Sequence, residues 1–448
     1  MLLSSLGTSI ANVALPTFVH AFGASFQAVQ WVVLAYLLAV TTLIVSVGRL
    51  GDLFGRRRLM LAGIGLFTVA SIACGAATGL WMLVAARAAQ GLGAAVMMAL
   101  TMALVGDAVP RERAGSAMGF LGTMSAVGTA LGPSLGGVLI AALGWPAIFL
   151  VNVPLGLVAF TLAYRHLPAH HAQPERPSFD FPGSALLALV LAAYALSMTL
   201  GRGHFGGWNL ALLLLALVGA GLFLAVEART RSPLVRPALF RNRVIGAGFA
   251  MSALVTTVAM TTLVVGPFYL AGALRLPPAA VGLVMTAGPL VAALVGVPAG
   301  RGVDRFGAQR MTVAGLAAMA LGAVALALVS PALGIAGYVV PLVIVTAGFA
   351  TFQAANNTAV VTGVDAGLRG VVSGLLTLSR NLGLVTGASA MGAVFALASG
   401  TRDIANAGVH AVAAGAHAAF AVAAALVIAA LLLAFGSGRR TQSSRSIP

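Results

Sequence analysis

Lysine is absent from this chain: all 25 basic residues are arginine, set against nine acids. Charged residues make up only 8% of it, where a soluble globular protein carries roughly 25%. Apolar residues make up 60% of the 448, too much to hide from water, so the chain needs lipid. Cysteine is reduced to Cys74, which lies mid-helix. One cysteine excludes an intrachain disulfide, and it reads as a small apolar filler. No Gly-Lys-Ser/Thr loop that could cradle a nucleotide is present, which excludes direct drive by ATP. Nothing resembles a hydrolytic triad, so an enzyme reading has no site to stand on.

What is present is charge with a pattern. The net charge of +16 could suggest nucleic acid, but there is no soluble basic domain to carry such a role. Twenty arginines fall in segments that would share one side of a membrane, and three (Arg202, Arg275, Arg402) fall on the other. Two, Arg87 and Arg380, lie inside apolar stretches. That split follows the positive-inside rule and predicts both termini in the cytoplasm.

Fourteen apolar runs predict helices at about 1–21, 31–48, 59–77, 80–106, 114–143, 145–164, 183–200, 208–226, 244–274, 279–299, 311–329, 333–361, 370–398 and 409–435, each of a length suited to a membrane crossing. Six lie in an N-terminal bundle, 1–164. Two are inserted between basic, Pro- and His-containing linkers, within 165–243. Six form a C-terminal bundle, 244–435, followed by a cytoplasmic tail, 436–448. His166, His170 and His171 read as linker residues rather than metal ligands. Met1 opens directly into the first helix, which predicts a truncated or misassigned start; no signal-peptide pattern is evident.

The two bundles repeat each other. Gly48-Arg49-Leu50-Gly51-Asp52-Leu53-Phe54-Gly55-Arg56-Arg57-Arg58 is echoed 252 residues later by Gly300-Arg301-Gly302-Val303-Asp304-Arg305-Phe306-Gly307-Ala308-Gln309-Arg310. In the fifth and thirteenth helices, Gly119, Gly128, Gly132 and Gly137 match Gly374, Gly383, Gly387 and Gly392, each by 255 residues. Internal repeats of this kind are how many secondary transporters are built.

These residues carry a resemblance. The loop at 48–58 is similar to the signature between helices two and three of the major facilitator superfamily. Leu83 to Gly93, with Arg87, Gln90 and Gly91, resembles its fourth-helix motif. Gly128-Thr129-Ala130-Leu131-Gly132-Pro133-Ser134-Leu135-Gly136-Gly137 resembles the fifth-helix signature of drug/proton antiporters. Asn12-Val13-Ala14-Leu15-Pro16 and Ile148 to Gly156 resemble the fourteen-helix branch. The resemblance implies an all-α membrane fold of two six-helix bundles plus two inserted helices. It implies efflux of drugs, antibiotics or secondary metabolites across a bacterial cytoplasmic membrane by a monomer. Alternating access would act at a site between the halves, with no cofactor and with the proton gradient as energy source.

It also implies roles. Gly48 and Gly55 permit a tight turn. Asp52 would meet the N-terminus of the thirteenth helix, near Gly370 to Ser373, where the macrodipole favours a carboxylate. Arg56 would pair with Asp107. Gly300, Asp304, Arg305 and Gly307 repeat the device, with Asp304 near Ala114. The second copy keeps the family's basic residue as Arg305, where the first has Leu53. Arg57 and Arg58 read as charges that hold the loop inside.

Gly128, Gly132 and Gly136 form a small-residue face that admits a neighbouring helix. Pro133 removes a backbone hydrogen bond and bends the helix. Either plain packing or a hinge that favours export fits these residues. Arg87 is an intramembrane charge and a functional candidate by default. Gln90 shares its face, and Arg380 with Asn381 is taken as its counterpart. Gln353, Asn356 and Asn357 make a polar stripe that suits either a site or interhelical bonding.

One absence bears on substrate. Related antiporters carry an Asp in the first helix where this chain has Gly7, and all nine acids map to loops or helix ends. A buried carboxylate is the usual proton carrier and the usual partner of a cationic drug. A neutral or anionic lipophile is therefore expected, with Arg87 or Arg380 as an anion's partner and coupling at Asp52 or Asp107. An importer of an organic anion, a potential-driven anion exporter and a non-transporting membrane sensor remain open alternatives.

Overall fold

With no water in the bilayer core, a spanning chain must satisfy its backbone polar groups internally, and helices do so. The protein follows that rule in a computed structural model, which describes residues 1–44, 47–108, 114–167, 181–200, 206–229, 243–362, 369–400 and 407–443. Those residues hold helices and no strands.

The helices of the first half are α1 Leu2–Val13, α2 Leu15–Phe22, α3 Phe26–Ile44, α4 Val47–Phe54, α5 Arg56–Gly75, α6 Leu80–Ala108, α7 Ala114–Leu143, α8 Ala147–Leu150 and α9 Asn152–His166. The inserted pair is α10 Phe181–Thr199 and α11 Gly207–Arg229. The second half holds α12 Arg243–Phe268, continued by a π-helix Tyr269–Ala273, then α13 Pro278–Phe306, α14 Ala308–Leu328 and α15 Gly334–Thr362. It closes with α16 Arg369–Thr386, a π-helix Gly387–Met391, α17 Gly392–Ala398 and α18 Val409–Ser443.

Each of the fourteen apolar runs thus carries helix. Among the described residues eleven helices are long and apolar enough to cross a membrane, or twelve if the bent pair α1–α2 is one span. The described apolar parts of α7 and α10 are shorter, Val127–Leu143 and Ala185–Met198.

The chain divides into two compact units, Met1–Leu234 with Pro277–Thr286, and Val235–Leu276 with Ala287–Pro448. The inserted helices belong to the first unit, where α10 packs on α3. In that unit α1 packs on α7, α3 on α6, and α5 on both α6 and α9. In the second, α14 packs on α15 and α18, and α12 on α16 and α18.

The charged loop departs from expectation in one respect. It is not a loop through its first half: Gly48 lies within α4, and its counterpart Gly300 lies within α13. The turn is made by the second glycine alone. Gly55 and Gly307 both have φ of +85°, a region L-residues avoid, and each stands just before the helix that follows. The chain bends by 59° between α1 and α2, where Pro16 occupies the start of the second helix.

Candidate functional site

Arg87, on α6, is fully buried. Its Nε donates to the Val32 carbonyl on α3 (2.9 Å), and its Nη1 donates to the Gly7 carbonyl on α1 (3.0 Å) and to Gln90 Oε1 (2.5 Å). Its guanidinium carbon stands 4.2 Å from the centre of the Tyr36 ring and 5.8 Å from that of Phe149. Gln90 passes the network on, donating from Nε2 to Ser71 Oγ on α5 at 2.7 Å. Tyr36 donates its hydroxyl to the Ser4 carbonyl at 2.9 Å. One side chain therefore ties α1, α3 and α8 to α6, and α5 through Gln90. All these partners are neutral, and Arg87 Nη2 is buried with no hydrogen-bond partner.

Glycines make this reach possible. A methyl at Gly91 would fall 2.5 Å from the Tyr36 carbonyl oxygen, and one at Gly93 would fall 2.7 Å from the Phe67 nitrogen. So α3 and α5 approach the α6 backbone directly, which brings Val32 and Ser71 within range of Arg87 and Gln90. Gly7 contributes through its main chain. A methyl there would sit 3.2 Å from Phe67 Cζ and 3.5 Å from the Tyr36 hydroxyl. Tyr36, Ser71 and the carbonyls of Gly7 and Val32 are partners the sequence reading did not name. Carbonyls leave no signal in residue identity.

Asn12 is buried and donates to the Thr8 carbonyl one turn earlier, at 3.1 Å. Asn152 does the same with the Ile148 carbonyl at 3.4 Å. Both precede a proline near a helix junction, Pro16 and Pro154. Their amides serve the backbone where the helix breaks, and the Oδ1 of each is buried without a partner.

The glycine face of α7 packs on α1. A methyl at Gly128 would fall 2.5 Å from the Leu2 oxygen, at Gly132 2.9 Å from the Ile10 nitrogen, and at Gly136 2.8 Å from Val13 Cγ1. Gly137 turns elsewhere, 2.6 Å from the Pro278 oxygen and 3.0 Å from Gly282 Cα by the same measure. The helix assignment of α7 runs unbroken through Pro133. The second unit repeats the packing: a methyl at Gly387 would fall 2.5 Å from Met260 Cβ on α12. In both units a first-helix hydroxyl donates to the carbonyl of the first glycine, Ser9 to Gly128 (3.4 Å) and Thr257 to Gly383 (3.2 Å).

A second polar cluster lies on α15 and α16. Half-buried Arg380 donates from Nη1 to Gln353 Oε1 (3.1 Å) and from Nη2 to Thr377 Oγ1 (3.4 Å). Asn357 Oδ1 and Asn381 Nδ2 are buried atoms without a partner. Asn356 faces the other way, donating to the Gly248 carbonyl on α12 at 3.0 Å, and Ser379 donates to the Phe249 carbonyl. Arg380 is not the positional counterpart of Arg87. By the 255-residue register of the glycines it matches Ser125 on α7, whose hydroxyl lies 2.6 Å from that of Ser5.

The charged segments show a tether that sequence reading missed. Arg57, read above only as a topogenic charge, donates from Nη2 to the Tyr164 carbonyl at the end of α9 (2.5 Å). Its repeat partner Gln309 donates to the Ala434 carbonyl on α18 (2.7 Å). Asp304 and Arg305 are exposed, with Arg305 against the Phe306 ring. The side chains of Gly48, Asp52, Asp107, Ala114, Gly370 and Ser373 lie outside the described residues, so the expected dockings of Asp52 and Asp304 and the Arg56–Asp107 pair do too. Of the acids, Glu227 lies near the end of α11 as expected, yet is buried there.

A family model described as Major Facilitator Superfamily matches residues 1–388. The riboflavin transporter RibZ of Clostridioides difficile is 32% identical over 88% of this chain and 86% of its own length. The multidrug resistance protein Stp of Mycobacterium tuberculosis is 33% identical over 87% of this chain and 73% of its own. Among solved structures, a bacterial homologue of the human lysosomal transporter Spinster, inward-facing and unoccupied, superposes with a TM-score of 0.73 at 15% identity. That match covers 100% of this chain and 96% of the other.

Proposed function

The chain belongs to the major facilitator superfamily, and on that premise we propose that this multi-pass membrane transporter exports small lipophilic molecules by alternating access, in exchange for protons. The observation that carries the direction is the α7 glycine face, Gly128, Gly132 and Gly136, seated on α1. It is the segment that resembles the antiporter signature, and close packing of small residues gives a bistable helix contact rather than a soft one. The similarity to the multidrug resistance protein Stp supports the same reading. The similarity to RibZ, a riboflavin transporter, supports a transport role without the drug specificity.

The substrate is read as neutral or anionic. The intramembrane arginines have neutral partners in their hydrogen bonds, and Gly7 stands where related antiporters carry an acid. For the proton step the candidates are Asp52, Asp107 and Glu227, the last being a buried carboxylate of the inserted pair. In this reading the protein works in the cytoplasmic membrane of a bacterium, with both termini inside, as a monomer.

Reconstituted vesicles test this reading. Loaded with a pH gradient and given a matched series of cationic, neutral and anionic lipophiles, they should release protons with one class. Accumulation of an organic anion inside whole cells would instead establish the importer.

A further inference from the structure

Among the described residues two arginines, Arg87 and Arg380, lie away from the ends of the apolar helices that carry them, and their surroundings differ in kind. Arg87 is sealed: fully buried, stacked on Tyr36 and bonded to two main-chain carbonyls that cannot move away without moving α1 and α3. Among the described residues Arg380 is held by two side chains, Gln353 and Thr377, and is half-buried. It lies eleven residues into α16, about 16 Å along the helix. So the charge sits within the span rather than at its rim.

The residues around Arg380 form one face. Gln353 and Asn357 are one turn apart on α15; Thr377 lies one turn before the adjacent Arg380 and Asn381 on α16. All five are half-buried. The sealed side of the same helices is served by other residues, Asn356 and Ser379, which bond to the carbonyls of α12. Polar side chains within a span face the bundle interior or a watered path rather than lipid. Buried polar atoms are otherwise nearly always paired. Here Asn357 Oδ1 and Asn381 Nδ2 are not. An acceptor and a donor thus stand unused on the same two helices as a cation whose own bonds go to neutral groups.

We propose that Gln353, Asn357, Thr377, Arg380 and Asn381 form the subsite for a lipophilic organic anion, with Arg380 holding its carboxylate and the two asparagines its remaining polar groups. This deepens, and rests on, the transport reading above. The guanidinium fork matches a carboxylate bidentately. Binding exchanges two hydrogen bonds from Arg380 to neutral acceptors, Gln353 and Thr377, for two to an anionic one. Arg87 takes no part in recognition; it holds the first unit together.

The test uses two xanthene dyes of similar size and opposite charge, fluorescein (anionic) and rhodamine 6G (cationic). Binding is read by fluorescence anisotropy on the full chain in nanodiscs, with empty discs subtracted. The wild type binds fluorescein at least tenfold more tightly than rhodamine 6G. Arg380→Gln loses at least tenfold for fluorescein and leaves rhodamine 6G unchanged, and Arg380→Lys retains part of the preference. Asn357→Ala, which keeps the charge, weakens fluorescein two- to fivefold. Equal binding of the two dyes by the wild type, or fluorescein binding untouched in Arg380→Gln, overturns the proposal whether or not a variant folds poorly. Because binding is read without flux, failure of vesicles to export a dye that does bind would count against the export reading and not against this subsite.

Discussion

Arg87 Nη1 lies 3.0 Å from the main-chain oxygen of Gly7, so the cation of the fourth span meets a carbonyl at the residue where the antiporter resemblance implies a carboxylate. The guanidinium is a crosslink among α1, α3, α6 and α8. Charge-assisted hydrogen bonds contribute about 1.5–3 kcal/mol each, and a desolvated cation–π contact about 2 kcal/mol. Arg87→Ala is therefore expected to destabilise the protein by at least about 3 kcal/mol, and Arg87→Lys by less. Thermal unfolding of the purified variants checks this. An Arg87→Ala protein as stable as wild type would show that the network holds nothing together.

Gly300 and Gly307 belong to one motif but are predicted to respond differently. A methyl at Gly300 meets nothing within 4 Å, and its position is helical, so Gly300→Ala should be neutral or slightly stabilising. Gly307 has φ of +85°, and Gly307→Ala should cost roughly 1–2 kcal/mol. Gly55→Ala, at the same φ but a buried position, should cost at least as much as Gly307→Ala. Chemical or thermal denaturation of the three variants decides; equal effects at 300 and 307 would contradict the assignment of the turn.

The glycine face of α7 offers a paired test. At Gly132 a methyl would collide with the side chain of Ser9, whose Cβ lies 2.7 Å away, and stand 2.9 Å from the Ile10 nitrogen. Gly132→Ala should reduce export and stability together. Adding Ser9→Gly removes the side-chain part of the clash and should restore part of both, measured by vesicle flux and unfolding. If the double variant is no better than the single one, α1 is not what limits residue 132.

Much of this architecture could be read in advance, and what could not has a physical reason. The glycines at 128, 132, 383 and 387 were legible because close helix packing demands small side chains, and that demand is written in residue type. The partners of Arg87 were not, because Gly7 and Val32 act through carbonyls that every residue has. Glu227 was placed near a helix end, yet proximity to an end says nothing of exposure. The turn was assigned to Gly48 and Gly55 together because glycine permits both helix and left-handed backbone; only φ separates them. Arg57 looked like a topology signal because nothing in sequence points an arginine at the carbonyl of a residue 107 positions away.

That last contact gives a modest prediction. Arg57 ties the end of α9 to the start of α5, and Gln309 ties Ala434 of α18 to the start of α14. Single hydrogen bonds are worth about 1 kcal/mol, so Arg57→Ala and Gln309→Ala should each lower stability by about that much, and independently. Double-mutant unfolding showing strong coupling between the two would mean that they do not act in separate units.

For the proton, Glu227→Gln is expected to abolish substrate-driven proton release, and Asp304→Asn, at an exposed position, to leave it in place. Release that survives in Glu227→Gln would return the search to Asp52 and Asp107.

The most direct measurement is proton movement in vesicles reconstituted with the full chain under an imposed pH gradient, titrated with fluorescein and rhodamine 6G. Export in exchange for protons predicts release on adding fluorescein and little with rhodamine 6G. Fluorescein flux driven by membrane potential, with no proton movement, would contradict antiport and mean that Gly7 marks a lost coupling site.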